Sequence, residues 1–224
     1  MLNLNSIYYY NTFSRNSLTS YKDKNKSYFE KIDSIITEFI KKNKYKTLLD
    51  VGCGDGIRSN NICLECDISD PVLIDNCQNM IDLCAENDYK ASLCEADKQF
   101  DKKFDIILCI ANLLGHIDNE ENVIESINHN LNNNGVAFVE INNRYNINKY
   151  GLFKVIINLF KDFFKIKNGF YKIKNKYLVY LYAPQEIDKL LNKYFKVEKR
   201  CIDSDGCIKK SQFQGQILYI LSKK

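Results

Sequence analysis

Asp50, Gly52, Gly54 and Gly56 stand at the end of the apolar run Leu48-Leu49-Asp50-Val51, and this spacing of one acid and three alternating glycines has few structural uses. Glycine at 52, 54 and 56 lets the backbone take φ > 0 and lets a ligand approach main-chain N–H groups that a Cβ would shield. Asp50, closing the strand, would then face that ligand. A second apolar run, Pro71-Val72-Leu73-Ile74-Asp75, also ends in an acid. Some twenty residues beyond a glycine turn is where nucleotide-binding sheets present a carboxylate to the two ribose hydroxyls. A helix N-cap is the simpler use of Asp75. The chemistry expected of this set is recognition of a nucleoside-like ligand by backbone amides and strand-end acids.

Those residues require strands and helices in alternation. Apolar residues from Tyr28 to Lys42 recur at helical spacing (Phe29, Ile32, Ile35, Ile36, Phe39, Ile40) and predict an amphipathic helix ahead of the first strand. A short helix follows Gly56, and a helix over 76–86 follows the second strand. Ala91 to Asp97 holds the third strand and its end. Lys103 to Ile110 reads as a central parallel strand, apolar on both faces. A helix over 119–131 is expected to end in a left-handed cap at Asn132-Asn133-Asn134-Gly135, and Val136 to Ile141 is the fifth strand. After a helix opened by Pro184, two strands near 195–202 and 216–221 complete a doubly wound, seven-stranded, mostly parallel α/β sheet.

Taken together, the glycine loop and the acids at later strand ends resemble class I S-adenosylmethionine (SAM) dependent methyltransferases, with their Rossmann-like fold. The resemblance covers residues 28–142 and 183–224 and implies a SAM site made of Asp50, Gly52, Cys53, Gly54, Gly56, Asp75, Asn76, Met80, Glu95, Ala96, Ile110 and Ala111. In it Asp75 takes the ribose, and Glu95, on the small-acid-small pattern Cys94-Glu95-Ala96, takes the adenine amino group. Core packing explains Met80 equally well. The turn Ala111-Asn112-Leu113-Leu114-Gly115-His116 is similar to the one that faces the acceptor in small-molecule methyltransferases. It makes His116 the candidate catalytic base, with a packing role as the alternative.

The implied acceptor site draws on Tyr10, Asn112, His116, Asn143, Arg144 and Tyr145. Tyr10 belongs to an aromatic opening segment that either closes over SAM or simply packs. Arg144 offers a fork of donors to an anionic acceptor, or belongs to a solvated basic face. The expected reaction is methyl transfer to an oxygen or nitrogen of a small molecule, anionic or aromatic, by in-line displacement. A non-catalytic SAM-binding regulator or scaffold remains an alternative, as does a membrane-surface enzyme with a lipid-like acceptor. Position 57 is isoleucine, which breaks the G-x-G-x-x-G pattern of dehydrogenases. The two prolines, Pro71 and Pro184, supply neither the Asp-Pro-Pro-Tyr nor the Pro-Cys motif of nucleic-acid methyltransferases, so nucleic acid is not the expected partner.

Charge divides the 224 residues unevenly. Lys and Arg number nine against four acids over 1–46, five against eighteen over 47–142 plus Asn143, nine against one over 144–176, and nine against five over 177–224. This supports an N-terminal helical cap (1–46), a cofactor-binding core (47–142), an inserted helix-plus-hairpin substrate cap (143–182) and a C-terminal part of the core (183–224). In the insertion, Leu152 to Ile166 carries Lys154, Asn158, Lys161, Asp162 and Lys165 in one polar wedge, with apolar residues around the remaining circumference. Such a helix covers an active site or lies on a membrane interface. With 45% hydrophobic residues the chain can bury a substantial core. Its start lacks a signal-peptide layout and no window of about 18 apolar residues could span a bilayer, so the expected location is the cytosol. Nine cysteines are then expected as thiols, and Cys63-x-x-Cys66 lacks the second half of a zinc site.

Overall fold

The computed structural model describes residues 10–11, 21–166, 169–173 and 177–224. Its centre is an eight-stranded sheet of β1 (Leu48–Val51), β2 (Val72–Asp75), β3 (Ala91–Leu93), β4 (Phe104–Cys109), β5 (Leu131–Ile141), β8 (Phe195–Ile202), β9 (Ile208–Lys209) and β10 (Gln216–Lys223). The strands lie in the order β3-β2-β1-β4-β5-β10-β8-β9. β1 to β5 run parallel, and β10 is antiparallel to both β5 and β8. The seven expected strands are all present, and the two-residue β9 extends the edge beyond β8.

The alternation of side chains across the pleat explains why both faces need helices. Leu48, Ile106, Leu108 and Phe138 join one core with Ile32, Ile36 and Ile40 of α1 (Lys26–Asn43) and Ile62 of α2 (Ile57–Glu65). Leu49, Ile107, Cys109 and Val139 join the other, with Ile124 and Ile127 of α4 (Glu120–Asn130) and Ile187 and Leu191 of α7 (Pro184–Tyr194). α3 (Gln78–Glu86) follows β2 and packs Met80 and Leu83 against Cys77. Fully burying an isoleucine or leucine is worth about 1.5–3 kcal/mol, so the two cores dominate the stability of the sheet. Pro184 opens α7 where its missing N–H costs nothing. The Glu186 carboxylate then accepts from the Ala183 N–H at 3.0 Å.

The expected left-handed cap at 132–135 is not formed. These residues belong to β5, which begins at once after α4, and they bulge where the register jumps from Phe104↔Leu131 to Ile106↔Val136. Asn132 Nδ2 donates to Asp105 Oδ1 at 2.7 Å. A Cβ on Gly135 would lie 2.8 Å from the Asp105 carbonyl oxygen. The glycine serves close backbone approach and not a positive φ.

Beyond β5 lie α5 (Ile147–Tyr150), α6 (Leu152–Phe163) and a separate hairpin of β6 (Phe170–Ile173) and β7 (Tyr177–Tyr180). α6 departs from the expectation of an apolar cap. The Asn158 and Asp162 side of its polar wedge faces the protein, where Asn158 Nδ2 donates to the Arg144 carbonyl at 3.1 Å and Asp162 pairs with the Arg144 guanidinium. Of its apolar side chains only Val155 is buried, while Phe153, Phe160 and Phe163 are 79%, 61% and 81% exposed. The physical reason is Arg144, a buried cation that draws the polar side of the helix inward. Among the described residues no helix is long and apolar enough to cross a membrane.

Candidate functional site

In this strand order the chain reverses direction of winding between β1 and β4, and the carboxyl ends of the strands there open a crevice, the usual ligand position in such sheets. The crevice is lined by Gly52, Asp75, Asn76, Glu95 and Ala96, five of the residues expected there, together with Cys94, Leu113 and Ile117. The glycine loop is stitched to β2 by the Gly52 and Cys53 amides, which donate to the Ile74 carbonyl at 2.8 and 3.0 Å. Gly54 has φ +58° with nothing among the described residues within 4 Å of where a Cβ would stand. The loop therefore presents open backbone at its middle glycine. Gly56 caps α2 and lies against Cys84 and Tyr89, so it serves packing.

Asp75 receives the Gly54 amide at 3.0 Å and the Cys77 amide at 2.9 Å. Burial raises its carboxyl to about 6 in spite of these donors, which leaves it ionised and able to accept hydroxyl protons at neutral pH. Asn76 Nδ2 donates to Glu95 Oε2 at 3.1 Å, coupling the ends of β2 and β3. Asn76 Oδ1 is buried with no hydrogen-bond partner among the described residues. Asp50 lies beneath the loop and not in the crevice. It accepts from the Ser59 hydroxyl of α2 and is raised to about 7 by burial. Met80 packs in the small core under α3, and Ile110 belongs to the core shared with α1.

The turn after β4 is conformationally costly. Ala111 and Asn112 both sit in the left-handed region, at φ 58° and 59°, where a side chain costs about 1 kcal/mol or more. Two hydrogen bonds from the end of β5 hold it there. The Ala111 amide donates to Glu140 Oε2 at 2.7 Å, and Asn112 Oδ1 accepts from the Asn142 amide at 2.7 Å. Glu140 is 3% exposed and also accepts from the Tyr28 hydroxyl at 2.7 Å. Sequence reasoning passed over Glu140, although it is one more acid closing an apolar strand. Cys94, Leu113 and Ile117 carried no such signal, because their place in the crevice comes from turn geometry.

His116 ends the short 3-10 helix Leu113–His116 and is buried. Desolvation lowers its imidazole to about 4, so it is neutral at physiological pH. Its ring meets Tyr10 edge-on, with centroids 5.6 Å apart. The Tyr10 carbonyl accepts from Asn79 Nδ2 of α3 at 2.9 Å. Tyr10 thus spans from the segment after β2 to the segment after β4, across the carboxyl edge of the sheet.

A larger cavity of about 760 Å³ adjoins the crevice, and Ile117 lines both. Its walls carry Asp118, Glu120, Asp162 and Glu186 against Arg144 and Lys165, with Tyr145, Tyr180 and Tyr182 between them. The Arg144 guanidinium, expected to meet an anionic acceptor, is already engaged. Nε and Nη2 donate to Asp162 at 3.0 and 2.7 Å, Nη2 also to Glu186 at 2.9 Å, and Nη1 to the Leu181 carbonyl at 3.1 Å. These partners hold it protonated. Tyr145 lines the cavity and its hydroxyl donates to Asp162, while Asn143, wholly buried, ties β5 to β10 through the Gln212 and Gly215 carbonyls and Gln216. Asn143 is a latch in the fold and does not line the cavity.

The residues present fit the cofactor that the resemblance implies. The loop is open at Gly54, a carboxylate is poised on backbone amides at the end of β2, and a buried amide oxygen on Asn76 is left for a donor. Among the described residues no group of three His, Cys, Asp or Glu side chains is arranged to hold a metal ion, and the nine cysteines are free thiols.

Comparison with curated proteins gives no match. Among solved structures, the chain is similar to a S-adenosylmethionine-dependent methyltransferase from Clostridium acetobutylicum ATCC 824, at 17% identity over 93% of this chain and 98% of that one, with a TM-score of 0.67. It is similar to the plantazolicin methyltransferase BpumL in complex with a pentazolic desmethylPZN analog and SAH, at 14% identity over 99% and 95% of the two chains, with a TM-score of 0.65. The N-methyltransferase NodS from Bradyrhizobium japonicum WM9, in complex with S-adenosyl-L-homocysteine, matches at 12% identity over 87% of each chain, with a TM-score of 0.56. At such identities these likenesses speak for the fold. A family model described as a methyltransferase domain matches residues 25–203, well over half of the sequence, and the chain belongs to that family.

Proposed function

We propose that this chain is a SAM-dependent methyltransferase that methylates a nitrogen of a small, amine-bearing molecule held in the cavity beside Ile117, with a hydroxyl oxygen as the nearest alternative acceptor atom. The observation that carries the reading is the cavity itself. It shares Ile117 with the crevice, and four carboxylates against two cations, one of them already neutralised by Asp162 and Glu186, make its wall acidic and aromatic. Such a wall attracts an ammonium group through its carboxylates and through the faces of its tyrosines. It does not suit the anionic acceptor suggested by the basic charge of the insertion, since Arg144 turns its donors to the protein's own acids.

SAM, when bound, supplies a methyl group on a sulfonium for in-line displacement. Asp75 would accept from the ribose hydroxyls, Glu95 and Asn76 from the adenine end, and the open backbone at Gly54 would lie against the amino-acid part. The left-handed turn at Ala111 and Asn112, braced by Glu140, would form the floor between donor and acceptor. Tyr10, seated between Asn79 and His116, would close over them and exclude water. His116 is a weak base when held near 4, so its role in this reading is to position Tyr10. Asp118 and Glu120, on the cavity wall, would hold an acceptor ammonium by charge.

Calorimetric titration with SAM, S-adenosylhomocysteine and NAD tests the cofactor, with binding of the first two and not the third expected. A screen of amines, alcohols and carboxylates for S-adenosylhomocysteine release tests the acceptor. Turnover confined to carboxylates would overturn the amine reading.

A further inference from the structure

α6 is inverted relative to an ordinary surface helix. Its inward side carries Asn158 and Asp162, bonded to Arg144, and its outward side carries Phe153, Ile156, Ile157, Phe160, Phe163 and Phe164, each more than a third exposed. A contiguous apolar helical face of this kind on a folded domain marks a contact surface. Along one flank of it run Lys154 and Lys161, while Lys165 turns to the cavity. Over 144–176, once Arg144 and Asp162 have neutralised one another, eight lysines remain and no acid. An apolar stripe bordered by lysines is the pattern of a helix lying in the plane of an anionic lipid surface, with phenylalanines among the acyl chains and ammonium groups at the headgroups. A symmetric pairing of two copies through the same face would instead bring two sets of lysines together.

We propose that the outward face of α6 docks the protein on the surface of an anionic phospholipid bilayer, as a peripheral attachment and not a span. The face lies on the opposite side of the helix from the cavity, so docking does not require that SAM be bound.

The test is co-sedimentation of the full chain, without cofactor, with vesicles of phosphatidylcholine alone or of equal parts phosphatidylcholine and phosphatidylglycerol. Binding at least about tenfold tighter to the anionic vesicles is expected, weakened strongly at about 0.5 M salt, where the screening length is only a few ångström. Phe153→Ser, Phe160→Ser and Phe163→Ser together should weaken binding about tenfold or more, each having lost buried apolar area. Lys154→Glu with Lys161→Glu should remove the preference for anionic lipid. Because the three phenylalanines are exposed, the serine variant should melt with the parent. No vesicle binding by the parent, or binding indifferent to all five substitutions, overturns the proposal. A parent dimer that the serine variant converts to monomer, without vesicle binding, assigns the face to a second copy. A lowered melting temperature in the serine variant, again without vesicle binding by the parent, assigns it to packing within the chain.

Discussion

Replacing Glu140 separates its structural work from its effect on the site. The carboxylate is 3% exposed and accepts two hydrogen bonds of 2.7 Å, from the Tyr28 hydroxyl and the Ala111 amide. A hydrogen bond to a charged acceptor contributes about 1.5–3 kcal/mol net, and a buried donor left without a partner costs about 1–3 kcal/mol. Some of this is returned because a buried charge disappears, so Glu140→Ala should cost roughly 3–4 kcal/mol. At about 2–4 °C per kcal/mol for a chain of this size, the melting temperature should fall by roughly 6–16 °C. Glu140→Gln keeps an oxygen for the Ala111 amide and turns its NH₂ to the Tyr28 oxygen, and should cost only about 1 kcal/mol. Tyr28→Phe removes one bond and should cost about 1.5–2 kcal/mol. Burial and the adjacent carboxylate hold the Tyr28 hydroxyl well above its ordinary range, so these differences should not change between pH 6 and 9. Urea unfolding of the three variants and of the Tyr28→Phe/Glu140→Ala pair gives the coupling, expected to be at least about 1 kcal/mol. Affinity for S-adenosylhomocysteine adds a second readout, because only Glu140→Ala frees the Ala111 amide and lets the left-handed turn relax. A loss in Glu140→Ala with full affinity in Tyr28→Phe is expected. Equal stability of the Ala and Gln variants would refute the argument.

Ala111→Gly removes the penalty of a Cβ at φ 58° and should be neutral or stabilising by up to about 1 kcal/mol in the same unfolding assay, whereas a glycine in an ordinary loop position destabilises. Gly54→Val should fold, since none of the described residues lies within 4 Å of the new Cβ, yet weaken S-adenosylhomocysteine binding at least about tenfold by strain at φ +58° and by filling the open side of the loop. Asp75 is raised to about 6, so affinity should fall as pH drops through 6 and the carboxylate takes up its proton. Asp75→Asn should bind weakly and without that pH dependence, and parallel curves for the two proteins would remove Asp75 from the site. Asp50, raised to about 7 from 3.8, gives the native state more bound protons than the unfolded chain between those values. It therefore lowers stability as pH rises from 4 to 7, by up to roughly 4 kcal/mol. His116, lowered to about 4 from 6.5, acts in the opposite sense, its contribution being lost as pH falls from 6.5 to 4. Asp75, also raised, adds to the Asp50 effect and His116 offsets only part of the sum, so the informative quantity is the difference between parent and variant. Asp50→Asn should gain stability relative to the parent as pH rises from 5 to 8, and an unchanged difference across that range would show that Asp50 is not desolvated as described.

The crevice at the carboxyl edge of the sheet was legible because its signals are local. An apolar run ends in an acid, a glycine follows, and the parallel sheet brings all such ends to one edge, so Gly52, Asp75 and Glu95 meet in the crevice without any knowledge of tertiary contacts. Glu140 bears the same mark, the apolar run Val136-Ala137-Phe138-Val139 and then an acid, and differs only in that its partners, Tyr28 and Ala111, lie 112 and 29 residues away. The cavity beside it rests on pairings of that remote kind. Arg144 reads as a free cation in sequence because Asp162 and Glu186 are 18 and 42 residues distant, and the sign of the cavity follows from those two contacts.

α6 shows the same limit from the other side. The period of Leu152 to Ile166 locates its polar wedge, but a period is blind to which side of the helix meets the protein. Ordinarily the apolar side wins, since each buried large side chain contributes about 1.5–3 kcal/mol. Here the competing term is a guanidinium 3% exposed at its side chain, and leaving such a charge without a partner costs about 3–5 kcal/mol. Glu186 meets only one end of the guanidinium, and Asp162 supplies the bidentate partner on Nε and Nη2 only if that side of the wedge turns inward, where Asn158 also caps the Arg144 carbonyl. The price is an apolar face left outside. An Arg144→Met/Asp162→Leu pair removes the reason for that orientation. It should let α6 roll its phenylalanines toward the protein and lose their exposure to a surface-binding apolar dye, while retention of full dye binding would mean that something other than the Arg144–Asp162 pair fixes the helix.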